Sequence, residues 1–293
     1  MASFTFEKGG GPLRFHQQPQ TFVEKIVIKV ANLERSLQFY GRILGLKIVS
    51  QSETAATLSA NGTRSLLVIE QPEHVLPKQT EATGLYHVAF LLPDRSDLAN
   101  AFRHLLHEKY PLQGASDHYV SEAVYLADPD GNGIELYADR SPSVWQREDG
   151  TVDMRTERLD MEDLLAAGDG SWTGLPAQTI IGHVHLQVSE LKEIEEFYCR
   201  GLGFDVVMHY GGQALFVSTG GYHHHFAFNT WYSAGGSAPA ENRVGLKQVS
   251  VRFPDGHTKR QAVERLQHLG AHVWEEGGLL LTKDPSGNVL HFI

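Results

Sequence analysis

The stretch Ala-Ser-Asp-His-Tyr-Val-Ser-Glu-Ala-Val-Tyr-Leu-Ala-Asp-Pro-Asp-Gly-Asn-Gly-Ile-Glu-Leu-Tyr, residues 115–137, decides how this chain is read. Asp-Pro-Asp-Gly-Asn-Gly (128–133) is a dense turn signal between two apolar runs, so the stretch reads as strand, tight turn, strand. In the second strand Ile134 and Leu136 point one way and Glu135 the other. A carboxylate in an apolar strand is costly to bury unless something pairs with it. Glu135 therefore faces water, or it holds a metal or another cation. His118, Tyr125 and Asp128 supply further chemistry in the same stretch.

The surrounding chain repeats one unit. Residues 23–30, Val-Glu-Lys-Ile-Val-Ile-Lys-Val, alternate as a strand. A helix follows from the Asn32 N-cap, ends near Gly45, and leads to three short strands around 47–51, 55–60 and 64–70. Residues 180–188, Ile-Ile-Gly-His-Val-His-Leu-Gln-Val, open a near-copy of that unit. Two more open at 84–93 and 244–254. The last ends in Asp284-Pro-Ser-Gly-Asn-Val-Leu-His-Phe-Ile, parallel to Asp128-Pro-Asp-Gly-Asn-Gly-Ile-Glu-Leu-Tyr. Four βαβββ modules at intervals of about 60 residues form an internal repeat. The predicted organisation is an arm at 1–21, an N-terminal domain of modules 1 and 2 at 22–139, a linker with a short helix at 140–179, and a C-terminal domain of modules 3 and 4 at 180–293.

Composition narrows the function. A chain of 293 residues, 41% apolar and 20% charged, carries a formal net charge of −10. That balance argues against nucleic acid or an anionic membrane as partner. No run approaches the roughly 18 apolar residues of a membrane span. The first residues lack the basic-then-apolar pattern of a signal peptide, and Cys199 is the one cysteine. A cytoplasmic location is expected. Cys199 falls on a predicted helix, where a structural thiol is the plain reading. The 16 histidines are the unusual count.

With its four modules and its Asp-Pro-x-Gly-Asn turns, the chain resembles the vicinal oxygen chelate superfamily, which contains glyoxalase I, the bleomycin-resistance proteins and the extradiol ring-cleaving dioxygenases. The resemblance spans nearly all of residues 22–293. It implies an α+β fold in which the four modules form two curved-sheet barrels, with metal ligands on the first and last strands of each module. Alternation then places Lys25, His87, His183 with His185, and Gln248 on the concave face of the first strands, and Glu135, His223 with His225, and His291 on that of the last. Tyr222, His224, Phe226 and Phe228 would face the helices. No sequential pair of modules holds a complete ligand set. Modules 2 and 3 together supply His87, Glu135 and His183, two histidines and a carboxylate, the facial set of non-haem iron(II) oxygenases. We therefore expect modules 2 and 3 to share one barrel and modules 1 and 4 the other, against the order in which sequential modules pair. Gln248 and His291, with His225, are the lesser ligand candidates. Lys25 argues against a cation in module 1.

The extradiol signature places a histidine five to seven residues before an apolar–Tyr pair, then two residues, Asp-Pro-x-Gly and a glutamate. Here His118, Val124-Tyr125, Asp128-Pro129-Asp130-Gly131 and Glu135 fit that spacing, with Ser116 a departure two residues before the histidine. The layout with Gly-Tyr-His-His-His at 221–225 is most similar to the catechol-2,3-dioxygenase-like branch of bacilli. The resemblance implies Fe(II), with Mn(II) as alternative, a catecholic substrate and O₂. It implies His225 as acid/base with His223 in reserve, and His118 and Tyr125 as hydrogen-bonding partners of the substrate oxygens. A neutral imidazole can accept and return a proton at cell pH. Two other readings stay open: a glyoxalase-I-like isomerase with Ni(II) or Zn(II), and a non-enzymatic small-molecule binder. The first wants a glutamate where His225 stands, and the second leaves His87, His183 and Glu135 unexplained. The oligomeric state, a homo-oligomer included, is open as well.

Overall fold

A computed structural model describes residues 12–145 and 151–293. A short 3-10 turn, Pro12–Phe15, precedes four modules that follow the predicted order. Module 1 comprises β1 (Phe22–Lys29), α1 (Leu33–Gln38), β2 (Lys47–Gln51), β3 (Ala55–Ser59) and β4 (Leu67–Glu70). Module 2 comprises β5 (Gly84–Leu92), α2 (Arg95–His107), β6 (Leu112–Asp117), β7 (Ser121–Ala127) and β8 (Gly133–Asp139). The spacer carries β9 (Glu157–Arg158) and α3 (Met161–Ala166). Module 3 comprises β10 (Ile180–Gln187), α4 (Leu191–Glu195), β11 (Asp205–Tyr210), β12 (Ala214–Ser218) and β13 (Phe226–Asn229). Module 4 comprises β14 (Gly245–Arg252), α5 (Gly256–His268), β15 (Val273–Glu276), β16 (Leu279–Lys283) and β17 (Val289–Phe292). Side-chain caps start the helices, Asn32 for α1 and Asp94 for α2. No helix among the described residues is long and apolar enough to cross a membrane.

The strands form two curved sheets. One runs β15-β16-β17-β14-β1-β4-β3-β2, and the other β11-β12-β13-β10-β5-β8-β7-β6-β9. Modules 1 and 4 therefore share one sheet and modules 2 and 3 the other. Each sheet takes one module from either side of the 140–179 spacer. The seams are antiparallel pairs, β1 with β14 and β10 with β5.

Alternation sorts the first strands as expected. Ile26, Ile28, Val88, Phe90, Val184, Leu186, Val249 and Val251 are fully buried in one apolar core. Burying each such side chain contributes about 1.5–3 kcal/mol. Their neighbours on each strand are left on the concave face.

The two Asp-Pro-x-Gly-Asn turns are built alike. Asp128 Oδ1 accepts from the backbone N–H of Asp130 and Asn132, and Oδ2 accepts from the Asn132 side chain at 2.8 Å and the Tyr40 hydroxyl at 3.0 Å. Asp284 repeats this with Ser286, Asn288 and Tyr198. Asp128 thus holds the turn and ties it to the end of the first helix. Tyr–Asp bonds join sequential modules, whereas the sheets join modules across the spacer.

The Gly-, Gln- and Pro-rich composition of residues 1–20 predicts a loose arm. Residues 1–11 lie outside the described residues. Phe15 instead packs with Val120, Trp145, Met154 and Tyr222, and the buried His16 bonds Gly182 O through Nε2 at 2.8 Å.

Candidate active site

Strands β8, β5 and β10 lie side by side. Glu135 on β8 pairs in register with Ala89 on β5, and Ala89 pairs in turn with His183 on β10. His87 lies two residues before Ala89 on the same face. Adjacent strands are about 4.8 Å apart, so the Glu135 and His183 side chains lean toward each other over Ala89. A methyl is all that separates them. A bulge at Gly182 sets the register of His183. Any side chain there would collide, since a Cβ on Gly182 would lie 1.7 Å from the Tyr137 hydroxyl. Gly133 is required in the same way, because its Cβ would meet Tyr86 O at 2.1 Å.

His87, Glu135 and His183 each present one ligand atom, all within 4.8 Å of one another, and all three residues are buried. Both His87 Nε2, at 2.9 Å, and His183 Nε2, at 3.0 Å, converge on Glu135 Oε2. Burial alone would push the Glu135 carboxyl up, but His183 and His87 hold it well below the usual carboxylate range. Burial pushes His183 down to about 4. An ionised carboxylate and a neutral imidazole are the forms a metal requires. The buried His87 Nε2 makes no hydrogen bond of acceptable geometry despite its closeness to the carboxylate. A nitrogen left in that state inside a core fits a ligand better than a packing residue. The donor set suits a divalent ion of the iron or manganese kind.

The trio opens into a cavity of about 1040 Å³. His118 and Tyr125 line it, brought together across the β6–β7 hairpin. His118 Nδ1 donates to Arg155 O at 2.7 Å, so Nε2 is left to accept the Tyr125 hydroxyl at 2.6 Å. Burial and the Glu135 carboxylate raise the Tyr125 hydroxyl well above its usual value.

The histidine tract differs from the expected alternation. His224 lines the cavity, with its ring 4.1 Å from that of His183. His225, expected to face the cavity, points away from it. Its Nε2 donates to Phe15 O at 2.9 Å, and its Nδ1 accepts from Thr219 N at 3.2 Å. Burial and then His16 push it well below its ordinary value. His223 is also withdrawn, donating from Nε2 to Asp139 Oδ1 at 2.8 Å. The reason lies in the backbone. β13 begins only at Phe226, and Gly220 and Gly221 both take positive φ, +65° and +75°. Residues 219–225 therefore turn rather than alternate. His223 Nδ1, left without a proton, accepts from His224 Nδ1 at 2.9 Å. That leaves the His224 Nε2 lone pair as the remaining acceptor. Phe226 and Phe228 face the core, and Tyr222 packs with Phe15 and Trp145.

Gln248 and His291 belong to the other sheet. His291 Nδ1 contacts Ser250 Oγ at 3.3 Å, and burial and then Lys25 lower its pKa. Among the described residues neither it nor His225 joins a metal-holding cluster. Lys25 lies close enough to act electrostatically on His291. The Cys199 thiol is half-buried and pushed up to about 11 by burial, which fits a structural thiol. Sequence reasoning passed over Tyr86, Trp231 and Lys78, which also line the cavity. The only signal for Trp231 was its place beside Tyr232 in a polar loop.

Comparison with known proteins agrees with this architecture. The chain is 45% identical over 285 residues to catechol-2,3-dioxygenase of Bacillus subtilis (strain 168), covering 95% of this chain and 98% of that protein. It is 30% identical to biphenyl-2,3-diol 1,2-dioxygenase 3 of Rhodococcus globerulus over 39% of this chain and 60% of that one. Glyoxalase I from Zea mays superposes with a TM-score of 0.59 at 15% identity, over 93% of this chain and 92% of that one, a likeness of fold alone. The glyoxalase/bleomycin resistance protein/dioxygenase superfamily profile matches residues 23–136 and 180–292, and the chain belongs to that superfamily.

Proposed function

We propose that this protein is an extradiol ring-cleaving dioxygenase acting on a catechol-type substrate with O₂. The observation that carries the reading is the convergence of His87, Glu135 and His183 on one point of a cavity that also holds His224, His118 and Tyr125. The relative from Bacillus subtilis, similar over nearly the whole chain, supports it. His87, Glu135 and His183 would hold iron(II), with manganese(II) as the alternative. Such an ion supplies Lewis acidity and a route for electrons between ring and O₂.

The remaining chemistry falls to side chains. His224 Nε2 accepts a phenolic proton as the diol enters. Its Nδ1–H bond to His223, itself fixed by Asp139, holds the ring in the tautomer that leaves Nε2 free. The Tyr125 hydroxyl and His118 line the same cavity and orient the second oxygen. A glyoxalase-like reaction would call for a second glutamate in the cavity. Among the described residues the acids lining it are Glu135 and Asp130, and Asp130 is engaged with Arg35 and the Ala31 N–H.

Protein purified without oxygen, loaded with iron(II) and given catechol and O₂ should consume the two in equal amounts and form a yellow ring-fission product. Failure to retain iron(II) or manganese(II) at all would refute the reading.

A further inference from the structure

A histidine that holds a metal is ordinarily aimed by a hydrogen bond from its second ring nitrogen. His183 lacks that restraint: its Nδ1 is buried and finds no partner among the described residues. Two rings pack on the imidazole, Tyr137 at 4.9 Å and His224 at 4.1 Å between centroids. Beyond those contacts the backbone sets the direction of His183, and the backbone there is irregular. Ile181 pairs with Phe90 and His183 with Ala89, so Gly182 is the extra residue of a bulge. Such a residue stands outside the ladder, and the strand bends at it. Whatever holds the bulge therefore holds the aim of His183.

The donor that meets the bulge comes from the start of the chain. His16 Nε2 donates to the Gly182 carbonyl at 2.8 Å, across 166 residues of sequence. The His16 ring stands edge-on to Tyr222 at 4.7 Å and to His225 at 5.0 Å. Tyr222 carries the contact on, since its hydroxyl bonds that of Tyr137 at 2.8 Å, and Tyr137 is the ring that packs on His183. His16 is itself held on both flanks. On one side Phe15 O accepts from His225 Nε2 at 2.9 Å. On the other, Thr219 Oγ1 accepts the Thr21 N–H at 3.2 Å and donates to Thr21 O at 2.8 Å. His16 is 4% exposed. Burying an imidazole costs free energy that an apolar side chain filling the same space does not, so the bond to Gly182 is what the histidine adds there.

Building on the trio as metal ligands, which the ring-cleavage reading also needs, we propose that His16 is a positioning residue for the metal centre. By holding the Gly182 carbonyl it fixes the bulge, and with it the line along which His183 Nε2 faces Glu135. The arm, which belongs to none of the four modules, is thereby part of the support of the site.

His16→Ala and His16→Gln in the full chain test this, with Mn(II) as the probe. A glutamine amide can donate from nearly the place of the imidazole Nε2–H. Val251→Ala, in the core beneath the other sheet, controls for lost stability alone. In His16→Ala the Kd for Mn(II) should rise roughly tenfold or more, the scale for losing a group that orients a ligand histidine. At saturating Mn(II) its electron paramagnetic resonance spectrum should change as well, because the ligand geometry changes. His16→Gln should restore most of both, and Val251→Ala should match the parent. In the metal-stripped proteins, amide hydrogen exchange at residues 181–184 should speed up by roughly tenfold in His16→Ala as the bulge opens locally, and return in His16→Gln. Parent-like affinity and spectrum in His16→Ala would overturn the proposal, as would equal losses in Val251→Ala or in His16→Gln. A parent that retains neither Mn(II) nor iron(II) would remove the ring-cleavage reading. Exchange in the stripped proteins would then decide the positioning role by itself: local acceleration reversed by glutamine supports it, and unchanged exchange at 181–184 overturns it.

Discussion

Replacing Glu135 by Gln separates a residue that binds a metal from one that holds the fold. Glu135 is 2% exposed and lies between two buried histidines. Taking a carboxylate out of water costs several kcal/mol, and the two imidazoles offset this enough to hold the Glu135 carboxyl below the usual carboxylate range. Gln has the same shape. Its oxygen can accept the His183 Nε2–H, and its amide can donate to His87 Nε2, which has no hydrogen-bond partner as things stand. The metal-stripped variant should therefore keep the fold and stay within about 2 kcal/mol of the metal-stripped parent. With metal the two separate further. A ligand that binds only the folded state at a thousandfold over its Kd adds about 4 kcal/mol. For a chain this long that is about 8 °C in Tm, at roughly 2 °C per kcal/mol. The variant should lose most of this gain. Calorimetry of both proteins with chelator and with iron(II), together with elemental analysis, reads each quantity. A stripped variant weaker than the stripped parent by more than about 2 kcal/mol would make Glu135 a structural residue. Unchanged metal content would mean that the ligands lie elsewhere.

Ala89→Leu should wedge Glu135 from His183. We expect metal retention to fall at least tenfold, with a loss of about 1–3 kcal/mol from overpacking; equilibrium dialysis and urea titration read the two, and full retention would contradict the register argument. His224→Ala should lower kcat by about 10²–10⁴ with metal content kept, whereas His225→Ala should act mainly on stability, losing roughly 1–3 kcal/mol because the Phe15 carbonyl and the Thr219 N–H lose their partner; the reverse pattern in kinetics and melting would restore His225 to the site. Asp284 is pushed up to about 6 by burial. Its folded pKa lies above its unfolded one, so its contribution is full below about pH 4 and is lost as pH rises through about 6. The loss is about 3 kcal/mol at 1.36 kcal/mol per unit. Urea unfolding across that window should show this slope in the parent and lack it in Asp284→Asn, and identical slopes would refute the assignment.

Much of the site was legible because strands alternate and β5, β8 and β10 are regular where their ligands fall. His87, Glu135 and His183 follow from period two on the first and last strands, where the family resemblance places ligands, and the pairing of modules 2 and 3 follows from asking which modules complete one ligand set. His118 and Tyr125 meet because a hairpin of known spacing brings them together. The histidine tract failed because alternation ends where two glycines take positive φ, so His224 rather than His225 turns inward. Nothing local in the sequence says that Phe15, some two hundred residues away, occupies the space behind it. Asp128 and Asp284 were readable as turn residues, but their bonds to Tyr40 and Tyr198 depend on how the first helix of one module packs on the next.

The pairing of modules explains why, among the described residues, one concave face gathers a cluster of two histidines and a carboxylate and the other does not. Both seams are antiparallel pairs of first strands, so each places side chains from two modules face to face over the same curvature. In the β5–β10 seam those positions hold His87 opposite His185, with His183 one step on, and β8 delivers Glu135 beside them. In the β1–β14 seam they hold Lys25 and Gln248, and β17 delivers His291. Lys25, within electrostatic reach of His291, opposes any cation there. One lysine in place of a histidine thus separates a face whose donors suit a metal from one whose charge opposes it. The working face draws on residues from both sides of the spacer, His87 and Glu135 from one and His183 and His224 from the other. The geometry of the site is therefore the geometry of the β5–β10 seam. A change that slips β10 by one residue against β5 would turn His183 toward the core and the β10 core residues toward the cavity, and the ligand set and the fold would be lost in the same step.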